Sequence, residues 1–215
     1  MRRTQFLGVV VGIVALLVVT AGCALFNAAP VAGFSWSPQD PLARTDVQFT
    51  DLSTDAGGLF GGGGVTLWNW DFGDNDSSPS QNPKHSYEVG GTYTVRLTVT
   101  DGAGKSATSQ KQITVTPTLD GRWTGSFTDI NWNTLAMSID IGHSASGGIT
   151  GTLYIVAQAF PLVSGSFNAT TREVQLTFSL VVFRGTLDAS EHRISGFWYD
   201  SISGIRGEDW FVTLQ

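Results

Sequence analysis

The sequence is poor in cysteine, in charge and in the motifs that mark most catalysts. Cys23 is its one cysteine, so no disulfide can form within the chain. Only 14% of residues are charged and the formal net charge is −6, with no basic stripe, so nucleic acid is excluded as a partner. No window carries a convincing helical period. Low charge with 26 glycines and many Thr, Ser and Val suits short strands and turns. The histidines His85, His143 and His192 show no metal-ligand spacing. There is no G-x-S-x-G, no H-E-x-x-H, and the run Gly61 to Gly64 lacks the Lys-Ser/Thr of a phosphate loop. No catalytic residue and no cofactor is therefore expected.

What is present begins at the N-terminus. Met1-Arg2-Arg3 is basic, Phe6 to Val19 is apolar, and Thr20-Ala21-Gly22 are small residues before Cys23. That order describes an export signal over residues 1–22, and its apolar run, Phe6 to Val19, is too short for a comfortable membrane span. Small residues followed directly by cysteine resemble the bacterial lipobox, although Thr20 stands where that family usually has Leu. The resemblance implies acylation of Cys23, a tether over residues 23–30 and attachment to a membrane through lipid. Ala24 is not Asp, which in such lipoproteins implies the outer-membrane or cell-surface side of a bacterial envelope. Arg2-Arg3 is out of place for a twin-arginine signal, so the general secretory route is expected.

From Val31 the chain reads as strands. Phe34 and Trp36 alternate with serines, Val47 and Phe49 follow, and Ala56 to Gly64 is a glycine-rich insertion tipped by Leu59 and Phe60. Trp68, Trp70 and Phe72 fall at period two, Thr92 to Thr100 alternates without a fault, and Gln110 to Val115 is the returning strand. Three ordered blocks, Trp70-Asp71-Phe72-Gly73-Asp74, Asn82-Pro83 with His85-Ser86-Tyr87, and Gly91-Thr92-Tyr93-Thr94-Val95 with Leu97 and Val99, closely resemble the PKD repeat. The resemblance covers residues 31–116 and implies an immunoglobulin-like β-sandwich. Asn75 stands where the family has Gly, and Asn tolerates the same positive φ. The stretch Trp68 to Asp76 has two readings. Under the preferred one the aromatics are core and Asp71 and Asp74 brace a turn. Under the other, Trp68 is a sugar platform and Asp71, Asp74 and Asp76 form part of a calcium shell.

Residues 117–215 restart the alternation. About eight short strands, joined by turns such as Ser144 to Gly148 and Asp188 to Glu191, predict an antiparallel up-and-down β-barrel or a sandwich. The G-x-W start and S-G-x-W/F phrases are weakly similar to lipocalin-like or avidin-like barrels. Gly125, Gly151, Gly165, Gly185 and Gly196 sit inside strands, as at barrel bends. Trp198, Tyr199 and Trp210 join Trp68 as candidate ligand contacts, and Asp200 with Glu208 forms a candidate acid pair of a sugar cleft. The expected whole is an all-β cell-envelope lipoprotein. It acts as a non-enzymatic binding, adhesion or structural module whose partners are a polysaccharide or an envelope protein. The alternatives are a small-ligand carrier, with a cavity in the second half, and a carbohydrate-active protein.

Overall fold

The computed structural model describes residues 27–56 and 63–215, and within these everything except the side chain of Glu208. The signal, Cys23 and most of the glycine-rich insertion, including Leu59 and Phe60, lie outside the described residues. The described chain is all-β. It divides into two compact units: one holds Val47–His85 and Tyr93–Ile113 with the preceding N-terminal segment, the other holds Gln39–Asp46, Ser86–Thr92 and Thr114–Gln215.

The first unit is built from β1 (Phe34–Ser37), β2 (Val47–Asp51), β3 (Val65–Asp71), β4 (Ser77–Ser78), β5 (Lys84–His85), β6 (Gly91–Asp101) and β7 (Ser106–Val115). They form two sheets, ordered β1-β2-β5 and β4-β3-β6-β7. The alternating residues decide the faces. Phe34 and Phe49 point from one sheet, Trp70, Val95, Leu97 and Val99 from the other, and all are fully buried. The Phe34 ring meets Trp70 edge-on at 5.2 Å and Phe49 lies 5.6 Å from it. Such pairs add about 0.5–1.5 kcal/mol beyond burial alone. The outward residues of β6 and β7 satisfy one another: Thr98 bonds Thr108 at 2.9 Å, Thr100 bonds Ser106 at 2.8 Å, and Arg96 donates to Gln110 at 3.0 Å. β4 and β5, two residues each, carry no periodicity and were not expected.

The second unit is a closed barrel of β8 (Gly121–Thr128), β9 (Thr134–His143), β10 (Ile149–Ile155), β11 (Gln158–Phe167), β12 (Glu173–Phe178), β13 (Val181–Leu187), β14 (Arg193–Asp200) and β15 (Arg206–Leu214). Every neighbour is antiparallel and β15 pairs back onto β8 from Trp210↔Phe127 to Leu214↔Trp123. Closure satisfies both edges of the meander, which decides for the barrel over the sandwich. Its interior is filled by Trp123, Phe178, Phe183, Leu176, Trp210 and their apolar neighbours. Most of the alternate positions, among them Thr124, Ser126, Gln175, Thr177, Arg184 and Thr186, are polar, with Phe197, Tyr199 and Phe211 the aromatic exceptions on β14 and β15. A membrane-spanning barrel needs an apolar outer band, and this barrel has the opposite pattern.

Glycine makes this filling possible. Gly196 and Gly185 face each other across β13 and β14, and a Cβ at Gly196 would sit 2.0 Å from the Arg184 carbonyl oxygen. A Cβ at Gly207 would sit 2.1 Å from the Trp198 ring. Eight strands enclose just enough room for side chains, so large indoles fit only where a facing residue has none.

Candidate functional site

In the aromatic and acidic stretch, Trp70 and Phe72 are core, Trp68 is not, and Asp71 and Asp74 brace the turn. Trp70 is fully buried and donates through Nε1 to the Ser80 carbonyl at 2.9 Å. Asp71 accepts the Gly73 N–H at 3.0 Å and Asp74 accepts the Asp76 N–H at 3.2 Å. Asn75 takes φ 79°, as expected of the residue standing where the repeat has Gly. Trp68 is half-buried, and its indole donates to Asp51 at 2.7 Å. The acids that converge are Asp74 and Asp76, and their third partner is His85 rather than Asp71; their ligand atoms lie within 4.8 Å of one another. The His85 ring, 2.6 Å from Asp74, stacks on Phe72 with centroids 4.1 Å apart.

The barrel has two unlike ends. At one end Glu191, read from sequence as a turn residue, is fully buried. Its Oε1 accepts the Gly90 N–H at 2.7 Å and an Arg172 N–H at 3.4 Å, and Arg44 stands 4.0 Å from Oε2. All four residues belong to the second unit. Arg44 in turn donates to the carbonyls of Thr118 and Asp120, each at 3.2 Å.

At the other end, framed by the turns after β8, β10, β12 and β14, an apolar cavity of about 360 Å³ opens. Phe127, Phe160, Phe178, Phe183 and Trp198 supply its aromatic walls, with Leu153 and Leu180 among the aliphatic ones. Phe127 meets Trp198 at 5.9 Å and Phe183 at 6.1 Å, both edge-on, and Trp198 Nε1 is spent on the Thr128 carbonyl at 2.8 Å. The four turns carry exposed apolar residues: Ile130, Trp132, Val156, Leu180, Ile202 and Ile205, with Trp132 86% exposed. The carboxylates on these turns are Asp129 and Asp200. Asp200 is held below its ordinary pKa by the Ser203 N–H, then by the Ser203 hydroxyl and the Ile202 N–H. Backbone and side-chain bonds from Asn133 do the same for Asp129. Both are ionised at neutral pH.

Of the sequence candidates, Trp198 lines this cavity. Tyr199, on the outer face, lies beside Arg184. Trp210 is 1% exposed, its indole bonded to the carbonyls of Arg184 and Phe197 at 3.0 Å, and offers a ligand no open face. Asp200 braces its own turn; the side chain of Glu208 lies outside the described residues, and so does the acid pair. His143 accepts from the Leu119 N–H at 3.3 Å, and burial pushes its pKa down. The cavity-lining phenylalanines were not singled out in sequence. Phe178 and Phe183 bracket the Ser179-Leu180 turn, the one signal that could have placed them together at a barrel mouth.

The profile of the PKD domain family matches residues 27–116. Collagenase ColA of Bacillus cereus is 37% identical over 78 residues, which are 36% of this chain and 8% of that protein. The pre-pro-metalloprotease PrtV of Vibrio cholerae is 36% identical over 89 residues, 41% of this chain and 9% of that protein. The chain thus spans less than a tenth of either relative. The solved PKD1 domain of Vibrio anguillarum Epp is 36% identical, covering 42% of this chain and 96% of that one, with a TM-score of 0.36. Residues 27–116 of this chain are a PKD domain, a member of that family.

Proposed function

We propose that the chain is an exported, non-enzymatic binding protein of the bacterial envelope, held to a membrane through lipid on Cys23. In this reading the PKD-like stretch 31–116 is an accessory spacer or adhesion module, and residues 117–215 carry recognition. Similar stretches make up under a tenth of two much longer relatives, which supports an accessory role. The observation that carries the recognition half is the aromatic-walled cavity at the open end of the barrel. Its 360 Å³ compares with the ~150 Å³ that suffices for benzene in a dry apolar cavity. The ligand is a neutral molecule of one or two rings, because edge-to-face contacts with five aromatic walls favour rings and ionised Asp129 and Asp200 disfavour anions.

Titration of the full chain in detergent-free buffer with 2-naphthol tests this. Saturable one-to-one binding is expected, with 2-naphthoate at least about tenfold weaker. Leu180→Trp, which adds bulk at the mouth on an exposed position, is expected to weaken naphthol about tenfold or more, equivalent to 1.4 kcal/mol. Its thermal transition should stay unchanged. Perturbation of the Trp198 indole N–H resonance locates the ligand independently. Absence of saturation, or naphthol binding that leaves that resonance in place, overturns the reading. Separately, Cys23→Ala is expected to move the chain from the membrane to the soluble fraction on cell fractionation; retention in the membrane removes the anchor.

A further inference from the structure

The outer face of the barrel holds a second feature, independent of the cavity. Across β11 to β14 the register aligns two rungs: Ser166, Gln175, Arg184 and Phe197 in one, Glu173, Thr186 and Ser195 in the next, with Phe211 continuing the second on β15. A shallow groove of about 610 Å³ runs over these rungs. None of its residues lines the cavity.

The groove differs from an ordinary solvent face in what its side chains leave unused. On the outer face of β6 and β7 the polar side chains pair with one another across the strands. Here the side chains of Ser166, Gln175, Arg184, Thr186 and Ser195 make no hydrogen bond or ion pair among the described residues. Among the described residues Arg184 is steadied by the Tyr199 ring, 5.5 Å from its guanidinium carbon. Phe197 is backed by the Arg206 guanidinium at 4.0 Å, and Phe211 by Arg193 at 4.5 Å. These three arginines are three of the five basic residues in 117–215, gathered on one face of a chain whose net charge is −6.

We propose that this face binds an oligosaccharide bearing carboxylates. Hydroxyl groups around a sugar ring donate and accept at once, which matches alternating Ser, Thr, Gln and Glu rather than a purely cationic surface. The apolar faces of sugar rings stack on Phe197. Arg184 presents an unspent planar fork that meets a carboxylate through two parallel bonds. Strands lie roughly 4.8 Å apart, so a four-strand rung extends roughly 14 Å, room for a short oligomer rather than one residue.

Calorimetry with trigalacturonate and neutral maltotriose on the full chain tests the proposal. Trigalacturonate is expected to bind saturably and at least about tenfold tighter than maltotriose, with the difference shrinking in high salt. Arg184→Gln should bring trigalacturonate to the level of maltotriose, Arg184→Lys should restore part of the loss, and Phe197→Ala should weaken both. Both positions face outward, so an unchanged thermal transition confirms folding. No binding of either sugar, equal binding of both, or full affinity in Arg184→Gln overturns the proposal.

Discussion

Glu191→Ala is expected to destabilise the second unit by about 3–5 kcal/mol, the cost typical of removing one partner from a buried ion pair. The reason is what the carboxylate leaves behind. Arg172, 3.4 Å away, and Arg44, 4.0 Å away, face it with side chains largely out of water, and the Gly90 N–H loses its 2.7 Å acceptor. Glu191 Oε2 and Arg44 Nη1 make no hydrogen bond of their own, so charge alone holds that half of the contact. Glu191→Gln keeps an acceptor for Gly90 and should cost less, about 1–3 kcal/mol. Chemical denaturation of the two variants and of Arg44→Ala checks this. The double variant Arg44→Ala/Glu191→Ala should be less destabilised than the sum of the single ones, because the two charges no longer strand each other. An effect below 1 kcal/mol in Glu191→Ala would mean that water reaches the site and that the burial is not maintained in solution.

The contrast between Glu191 and the strands around it shows what sequence conveys. β6 and β12 are legible because every second residue is apolar, and that pattern names both the element and its buried face. The PKD blocks placed Trp70 in the core and Asp71 and Asp74 in a braced turn, as observed. The eight-strand meander was legible, but barrel and sandwich share one alternation, and only the β8–β15 pairing separates them. Glu191 was not legible. Its neighbours Ser190 and His192 mark a solvent turn, and Arg44, Gly90 and Arg172 are far from it in the chain. The rungs of the outer groove depend on register between four strands, which alternation leaves open. Trp198 and Trp210 look alike in sequence, each an aromatic in a strand, yet one lines the mouth and the other fills the centre. Their relative depth along the barrel depends on the β14–β15 register, which shifts at a bulge opposite Gly196/Trp198 that no local pattern announces.

Gly196→Ala is expected to lower the stability of the barrel by about 3 kcal/mol or more, at the upper end of the cost of overpacking. The new methyl would lie 2.0 Å from the Arg184 carbonyl oxygen and 2.5 Å from the Gly185 Cα. Both are backbone atoms, so no side-chain rotation relieves the clash; β13 and β14 must separate. Separation in turn disturbs Trp210, whose indole bonds the carbonyls of Arg184 and Phe197 on those same two strands and whose ring lies where a Cβ at Gly185 would be 2.8 Å away. At about 2–4 °C per kcal/mol for a chain of this size, the barrel transition should fall by roughly 6–12 °C in calorimetry. Gly33→Ala is the control, because its added Cβ meets nothing nearer than 3.5 Å and its transition should move little. If Gly196→Ala melts with the native chain, the two strands are farther apart in solution than described. The barrel would then be looser at its centre, and the two indole bonds of Trp210 to the Arg184 and Phe197 carbonyls would be weaker than their 3.0 Å implies.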